Sequence, residues 1–179
     1  MTSVKILTSS FFDRPTPEVA REMLGKWLCR RMSEGEILRM RISETEAYDG
    51  QEDKACHAHK GKTPRNEVMF GKAGFWYVYL CYGMHWMLNM VTGPIDFPAA
   101  VLVRGCVGIE GPGRVTKAFS ISKDQDRMKA GESSGLWIEE DGFAVIDGEV
   151  SVGPRIGIGY AGNEWIKKPY RFVWKNALS

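Results

Sequence analysis

Residues 76–91, WYVYLCYGMHWMLNMV, contain two aromatic-rich apolar runs separated by Tyr82-Gly83-Met84. Aromatic residues are enriched in β-strands, and a glycine in a short interruption is typical of a tight turn. The stretch therefore predicts a β-hairpin with strands at 76–80 and 85–91. Alternation places Tyr77 and Tyr79 on the same strand face. Tyr82 lies at the predicted tip, where an aromatic side chain has little protein to pack against.

The strand predicted before this hairpin carries the first candidate catalytic groups. Leu38, Met40 and Ile42 alternate with polar residues, so they form an apolar strand face. Continued alternation carries Glu44 and Glu46 onto that face, where an unpaired carboxylate is costly to bury. The alternative is that the strand leaves the core before Glu44, so that both carboxylates are solvated.

The remaining chain predicts a mixture of short elements. A helix begins with Thr16 as N-cap and Pro17 as its first residue, and ends near Gly25. Residues 49–65 show no periodic apolar pattern and predict a long loop, which in a compact domain tends to be functional or disordered. Further strands are predicted at 27–31, 99–104, twice within 136–150 and at 170–174, with a glycine-rich loop at 105–114 and a helix from 115. Residues 1–179 are therefore predicted to form a single compact α+β domain, mainly antiparallel β-sheet with surrounding helices.

The composition is that of an ordinary globular protein. The chain is 44% hydrophobic and 26% charged, and its formal net charge of +2 means that a nucleic-acid partner has to be bound through a local patch. No stretch has the roughly 18 apolar residues of a membrane span, and the N-terminus lacks a secretory pattern. The four cysteines form no CxxC pair, which favours reduced thiols in a cytosolic or nuclear compartment over a disulfide framework or a zinc site.

Carboxylates and aromatic residues form two candidate functional clusters. Glu44 and Glu46 are candidate general bases, and further acidic residues follow just beyond them: Asp49, Glu52 and Asp53. Arg104, which ends an apolar strand, is either the cation that orients such a base or an ordinary surface charge. The tyrosines and tryptophans around the hairpin either stack on nucleobases or belong to the core.

Basic residues form a third cluster in the long loop. They either neutralise phosphates or belong to a solvated loop: Lys54, His57, His59, Lys60, Lys62 and Arg65. Cys56 beside two histidines is weak evidence for a metal, because no second ligand pair follows. The turn at 111–114, Gly-Pro-Gly-Arg, either wraps a phosphate with its backbone amides or is only a turn.

The order and spacing of these features resemble one protein family. The segment ETEAYDGQEDKACHAHKGKTPRNEVMFGKAGFWYVYLCYGMHWMLN, residues 44–89, is similar to the alkyladenine (3-methyladenine) DNA glycosylases. So are AAVLVRGCVGIEGPGRVTKAF, residues 99–119, and PRIGIGYAGNEWIKKPYRF, residues 154–172. The resemblance implies a monofunctional base-excision-repair enzyme that flips alkylated or deaminated purines out of double-stranded DNA and hydrolyses the N-glycosidic bond. The lesions implied are 3-methyladenine, 7-methylguanine, hypoxanthine and ethenoadenine.

The resemblance also assigns roles to residues of this sequence. Glu46 matches the general base that activates water, and Arg104 with the carbonyl of Ile156 matches the groups that hold that water. Tyr48, His57 and Tyr79 match the pocket around the extruded base. The remaining roles are assigned to Asn89, which crowds the amino group of guanine, to Tyr82, which wedges into the minor groove, and to further DNA contacts at Lys62, Arg65, Met84 and His85.

These roles imply a chemistry. An electron-rich cage of Tyr48, Tyr79 and His57 favours cationic purines, and ionised Glu46 stabilises an oxocarbenium-like transition state. No lysine of the matched pocket is placed to form a Schiff base, which predicts no strand cleavage. His85 departs from the relatives, which carry tyrosine there, so the strength of base flipping is open.

The resemblance further implies a monomer without cofactor or metal and without membrane contact. It implies a cytoplasmic, nucleoid-associated protein in a bacterium or a nuclear one in a eukaryote. Two other readings of the residues are a damaged-DNA-binding module with weak catalysis, and a carbohydrate glycosidase that uses Glu44 and Glu46 as a carboxylate pair.

Overall fold

The structure, a computed structural model, describes residues 4–177 and contains one antiparallel sheet with four short helices. The strands are β1 (Lys5–Ile6), β2 (Trp27–Arg31), β3 (Ile37–Asp49), β4 (Trp76–Cys81), β5 (His85–Val91), β6 (Ala99–Cys106), β7 (Ile109–Glu110), β8 (Leu136–Glu140), β9 (Val150–Gly153) and β10 (Arg171–Trp174). The helices are α1 (Ser9–Phe12), α2 (Thr16–Glu22), α3 (Pro112–Ala118) and α4 (Asn163–Ile166). The predicted α+β fold with a mainly antiparallel sheet is confirmed.

The sheet is organised around the long strand β3. Its strand order is β1-β8-β2-β3-β6-β5-β4, with β7 added to β6 and with β10 pairing both β3 and β9. The first half of β3 pairs with β2, and the second half lies between β6 and β10. Residues 44–46 of β3 therefore have strand neighbours on both edges, which fixes the backbone that carries Glu44 and Glu46.

The two faces of β3, β6, β5 and β4 have different surroundings. One face carries Val78, Leu88, Val101 and Val103 into the main core, which also includes residues of α2 and α3. Period-2 alternation sends the intervening residues to the opposite face. That face carries the side chains that line a cavity, among them Tyr77, Tyr79, Met87, Asn89, Leu102 and Arg104.

An irregularity in β3 corrects the predicted position of the glutamates. Strand pairing with β6 shifts on both sides of Glu44, as at a β-bulge, so the alternation changes phase there. Ile42 and Ala47 both lie in the main core, five residues apart, and the hydroxyl of buried Thr45 donates to the Ala20 carbonyl of α2 at 2.7 Å. Glu46 therefore does not continue the apolar face that begins before it: it points to the cavity face.

Other local predictions were wrong in detail. Thr16 is the first residue of α2 rather than its cap, and its hydroxyl accepts a hydrogen bond from Thr92 at 3.1 Å. The predicted loop at 105–114 instead contains the end of β6, the short strand β7 and the start of α3. Within 136–150 only β8 forms a strand before Val150, because residues 141–149 turn away without sheet pairing. The hairpin, the long loop at 49–65 and the strands at 27–31, 99–104 and 170–174 are confirmed, with shifts of one or two residues at some ends.

Candidate active site

A cavity of about 460 Å³ opens on the polar face of the sheet. This volume falls within the roughly 300–1,000 Å³ of small-molecule sites. Strands β4, β5 and β6 form its floor, and the loops at 49–65 and 154–160 form its sides. Its lining includes Tyr48, His57, Arg65, Tyr77, Tyr79, Tyr82, Asn89, Arg104, Ile156 and Tyr160.

Glu46 lies directly behind this lining and is fully buried. Its Oε1 accepts a hydrogen bond from the Ile156 backbone N–H at 2.7 Å, and its Oε2 accepts one from the Tyr48 hydroxyl at 2.8 Å. The Arg104 Nε lies 3.5 Å from Oε1. The alternative in which both carboxylates are solvated is wrong for Glu46, which has one charged partner and two hydrogen-bond donors.

Burial and these partners act in opposite directions on the Glu46 carboxyl. Burial raises its pKa above the ordinary value of 4.5, and nearby Glu44 raises it further. Arg104, the Ile156 N–H and the Tyr48 hydroxyl each favour the ionised form and partly offset the effect of burial. A carboxylate with a raised pKa is a stronger base than a solvated one, which suits proton abstraction from water.

Arg104 joins the two glutamates of β3. Its Nε donates to Glu44 Oε1 at 3.1 Å, and the same oxygen accepts from the Nε of Arg171 at 2.6 Å. Within the described chain, the terminal nitrogens of Arg104 make no hydrogen bond, although the residue lines the cavity. These donors are available to a water molecule or to a substrate oxygen.

Aromatic rings form one wall of the cavity. The His57 and Tyr79 rings lie 4.5 Å apart between centroids at an interplanar angle of 66°, and the Tyr77 and Tyr79 rings lie 5.2 Å apart. His57 Nδ1 and the Tyr77 hydroxyl share a hydrogen bond at 2.9 Å. Neighbouring protein atoms and the Arg65 guanidinium lower the pKa of His57 to about 4, so the ring is neutral at physiological pH. The structure thus brings His57 and Tyr79 together as predicted and adds Tyr77 to the wall.

Asn89 is held rigidly in the cavity floor. Its amide nitrogen donates to the carbonyls of Tyr77 and Met87 at 3.1 and 3.4 Å, and its side chain is buried. An amide fixed by two backbone acceptors cannot rotate away from a ligand. A rigid amide in the floor is what a steric filter needs; that role for Asn89 is implied by the family resemblance and stays a prediction.

A buried ion pair supports Tyr48 and Ile156 from behind. Asp53 and Arg155 form two hydrogen bonds of 2.5 and 2.9 Å, with both side chains fully buried. The Arg155 guanidinium also donates to the Ala47 carbonyl at 2.9 Å and lies 4.8 Å from the Tyr48 ring centre. Arg155 was not predicted as a site residue, and Asp53 was considered only as one of several acidic residues. Neither shows a sequence signal, because their pairing spans 102 residues.

Tyr82 occupies the hairpin tip in an unusual backbone conformation. It is 89% exposed and has a φ of 49°, and the following Gly83 has a φ of 67°. A bulky residue with positive φ is uncommon and costs about 1–2 kcal/mol. Met84 is 71% exposed at the same tip, and His85 packs against Gly113 at the start of α3. The tip therefore presents two large apolar side chains to the surroundings.

The basic loop separates into two kinds of residue. Lys62 is exposed, lies 3.5 Å from Glu67 and does not line the cavity. Arg65 lines the cavity, and its guanidinium lies 4.9 Å from the Tyr79 ring centre. Tyr160, which was not predicted, is 71% exposed at the cavity mouth and donates to the Ala55 carbonyl at 3.2 Å. An exposed aromatic in a glycine-rich segment was the only signal that could have found it.

The four cysteines are free, and three of them are buried. Within residues 4–177, no group of three or more histidine, cysteine, aspartate or glutamate side chains is arranged to hold a metal ion. In the same part of the chain, no helix has the length and apolarity needed to cross a membrane.

These observations define a candidate active site in which an aromatic-lined cavity adjoins a buried carboxylate held by an arginine and two hydrogen-bond donors. The chain belongs to the methylpurine-DNA glycosylase family, whose sequence profile matches residues 10–110 and 107–178. It is therefore a DNA glycosylase, a hydrolase of N-glycosyl bonds in base-excision repair. The predicted family and enzyme class are confirmed.

Individual relatives support the same assignment. A protein of Psychrobacter cryohalolentis is 42% identical over 94% of this chain and 92% of its own length. A protein of Methanocella arvoryzae is 44% identical over 96% of this chain and 94% of its own length, and one of Myxococcus xanthus is 46% identical over 94% and 89%. All three carry the name "Putative 3-methyladenine DNA glycosylase".

Proposed function

We propose that this enzyme flips alkylated or deaminated purines out of double-stranded DNA and releases them by hydrolysis with Glu46 as the general base. The observation that carries the proposal is the position of Glu46, fully buried beside the aromatic cavity and held by Arg104, Tyr48 and the Ile156 N–H. A carboxylate with raised proton affinity and fixed orientation can take a proton from an attacking water. Its negative charge also stabilises the oxocarbenium-like sugar as the bond to the base breaks.

Base flipping is supported by the hairpin tip. A purine inside duplex DNA has to leave the stack before its glycosidic bond can be attacked, and unstacking costs a few kcal/mol. Tyr82, exposed and held in a strained turn, is placed to fill the vacated space, with Met84 beside it. His85, the first residue of β5, adjoins this tip. His85 and, from the loop at 49–65, Lys62 are proposed to contact the DNA backbone.

Base recognition is proposed to follow from the cavity wall and floor. The extruded purine stacks among Tyr48, His57 and Tyr79, each base–aromatic stack contributing about 1–3 kcal/mol. Asn89, fixed by two backbone carbonyls, excludes the amino group of normal guanine. Candidate substrates are 3-methyladenine, 7-methylguanine, hypoxanthine and ethenoadenine.

Water activation is proposed to involve three groups: the Glu46 carboxylate, the Arg104 guanidinium and the Ile156 carbonyl. Arg104 has free terminal N–H donors toward the cavity, and the carbonyl of Ile156 is the proposed acceptor for the second water proton. Because Glu46 is covered by Tyr48, Arg104 and Ile156, a small shift of one of these must accompany substrate binding. The cavity lining contains no lysine in the described chain, which supports base release without a Schiff base and hence without strand cleavage.

Single-turnover base release tests this proposal. Duplex oligonucleotides with one hypoxanthine or one 7-methylguanine are incubated with wild type, Glu46→Gln and Glu44→Gln, and abasic sites are revealed by alkali. Glu44→Gln is the matched control, because Glu44 lies on the same strand and shares Arg104. We expect release by wild type and by Glu44→Gln, loss with Glu46→Gln, and no nicking before alkali.

Two outcomes contradict the proposal. If Glu44→Gln abolishes release while Glu46→Gln retains it, the base is assigned to the wrong glutamate. If wild type binds lesion DNA tightly and releases neither base, the cavity acts as a damage-recognition site and not as a catalytic one.

A further inference from the structure

Two arginines line the aromatic cavity and a third, Arg155, lies behind Tyr48, and they differ in how their charge is balanced. Arg155 is paired with Asp53, and Arg104 lies within 3.5 Å of both Glu44 and Glu46. Arg65 lines the same cavity, but no carboxylate of residues 4–177 lies within ion-pair distance of it. Arg65 therefore contributes an uncompensated positive charge to the wall.

The Arg65 guanidinium also lies against the ring of Tyr79, on which the extruded base is proposed to stack. It lies 4.9 Å from the centre of the Tyr79 ring, and the His57 ring lies 4.5 Å from the same centre. A cation at this distance is attracted by the ring quadrupole, so the electron-rich character of Tyr79 is already engaged. A second cation stacked at this wall gains less from the ring and is repelled by the guanidinium.

The state of His57 agrees with this electrostatic environment. Arg65 contributes, after burial, to lowering the pKa of His57 to about 4. The environment of the wall therefore disfavours a positive charge on His57 itself. A neutral purine suffers no such penalty and retains the full contact with both rings.

We propose that Arg65 is a specificity-determining residue that disfavours positively charged purines relative to neutral ones. This inference rests on the proposed function and revises the expectation that the tyrosine and histidine cage favours cationic lesions. Among substrates of the same cavity, it favours neutral lesions such as hypoxanthine over cationic ones such as 7-methylguanine. Arg65 remains free to approach a phosphate, but a phosphate contact by itself would affect both lesions equally.

The test compares two lesions in the same sequence context. The kcat/KM for release of 7-methylguanine and of hypoxanthine is measured for wild type, Arg65→Gln, Arg65→Met and Arg65→Lys, and the ratio of the two values is taken for each protein. The difference in intrinsic leaving ability is the same for every protein, so it cancels when the ratio for a variant is divided by the ratio for wild type. Lys62→Gln is the matched control, because it removes one positive charge from the same loop without altering the cavity wall.

We expect the ratio of 7-methylguanine to hypoxanthine release to rise about three- to ten-fold in Arg65→Gln and Arg65→Met. It should stay within about two-fold of wild type in Arg65→Lys and in Lys62→Gln, whose effects on the two lesions are parallel. Because Arg65 is exposed, the neutral variants are expected to fold, and thermal unfolding checks this.

An unchanged ratio in Arg65→Gln and Arg65→Met, even with both rates lowered, overturns the inference and leaves Arg65 as a phosphate contact. A ratio that falls also overturns it. In either case wild-type base release still stands, so the proposed function survives. Absence of release of both lesions by wild type would instead remove the proposed function and the inference with it.

Discussion

The two faces of strands β3, β6, β5 and β4 share one backbone but differ in what they bury. The face toward α2 and α3 carries aliphatic side chains such as Leu88 and Val103, which are completely buried without any polar requirement. The opposite face buries a carboxylate, Glu46, an amide, Asn89, and the ring of Tyr77. The first face is filled by its own side chains, whereas the second borders the cavity and contains groups that a substrate can use.

The difference lies in how each face contributes to the free energy of folding. Apolar burial stabilises by about 25 cal/mol per Å², whereas burying a charge is costly unless partners offset it. Glu46 is held by Arg104, Tyr48 and the Ile156 N–H, but burial still raises its pKa. Burying Glu46 on the cavity face therefore lowers the stability of the fold but provides a reactive carboxylate. Apolar burial on the helix-covered face supplies the stability. Substitutions on the two faces should therefore separate activity from folding.

The largest expected effect is a loss of activity without loss of stability in Glu46→Gln. General-base removal should lower single-turnover release by about 10²–10⁴-fold. Because the folded pKa of Glu46 is raised, its ionised form opposes folding at neutral pH, and a neutral amide removes this penalty. The thermal unfolding midpoint at pH 7 should be equal to or above that of wild type. A midpoint several degrees lower would show that Glu46 is instead a stabilising charge.

The next effect is on the acid limb of the pH profile. Glu46 must be ionised to act, so log kcat/KM should fall with unit slope, ten-fold per pH unit, below an apparent pKa higher than the ordinary 4.5. Release of 7-methylguanine is the suitable reaction, because a cationic base leaves without needing protonation. Neutral His57, with its pKa near 4, should add no step near pH 6.5. A step near pH 6.5 would contradict the environment described for that ring.

Removing one partner of the buried Asp53–Arg155 ion pair tests whether the cavity side also contributes to the stability of the fold. Asp53→Ala leaves Arg155 buried without a counter-charge, which should cost about 3–5 kcal/mol of unfolding free energy. The Asp49 and Ala55 N–H groups bond different oxygens of Asp53. Asp53→Asn retains an acceptor for one of them and should cost less than Asp53→Ala. Urea denaturation of the three proteins measures the difference. Equal stability of Asp53→Ala and wild type would mean that water replaces the carboxylate.

On the helix-covered face, substitutions are expected to lower stability and to leave base release by the folded protein nearly unchanged. Leu88→Ala should lower the free energy of unfolding by about 2–5 kcal/mol through lost burial and a residual cavity. Release per folded molecule should remain close to that of wild type, because Leu88 points away from the substrate face. Leu88→Met, which conserves volume, should cost less than about 1.5 kcal/mol. A large loss of catalytic rate in folded Leu88→Ala would show that the two faces are coupled.

The smallest expected effect concerns the hairpin tip. Tyr82 has positive φ and is almost fully exposed, so replacing it alters backbone strain more than packing. Tyr82→Gly should be more stable than Tyr82→Ala by about 1 kcal/mol, because only glycine accepts this conformation without strain. Both variants should release base from duplex DNA more slowly than wild type, whereas release from single-stranded DNA should be less affected. Equal stability of the two variants would place the strain elsewhere.

Local patterns were sufficient for much of the fold. Alternation and turn chemistry predicted the hairpin, including Tyr82 at its tip, and the antiparallel character of the sheet. The resemblance of three segments to one family predicted the enzyme class and named Glu46, Arg104 and Asn89. Patterns failed at 105–114, where glycines suggested a loop. Residues 105–106 of β6 instead pair with 109–110 of β7, and a helix begins at Pro112. Sheet pairing there overrides local propensity, and local propensity carries no information about partner strands.

What the sequence by itself determined about this protein is its hairpin and most of its longer strands, its apolar periodicity and its family. Only the tertiary structure decided that Glu46 leaves the apolar face at an irregularity in β3 and that Arg155 pairs with Asp53 beneath Tyr48. It also decided that Arg65 lies against the Tyr79 ring with no carboxylate of residues 4–177 within ion-pair distance. Periodicity and turn chemistry act between neighbours in the chain, so they can be recognised in one sequence. The burial and charge balance of a site depend on side chains about a hundred residues apart, and the folded chain is what brings them within a few ångströms.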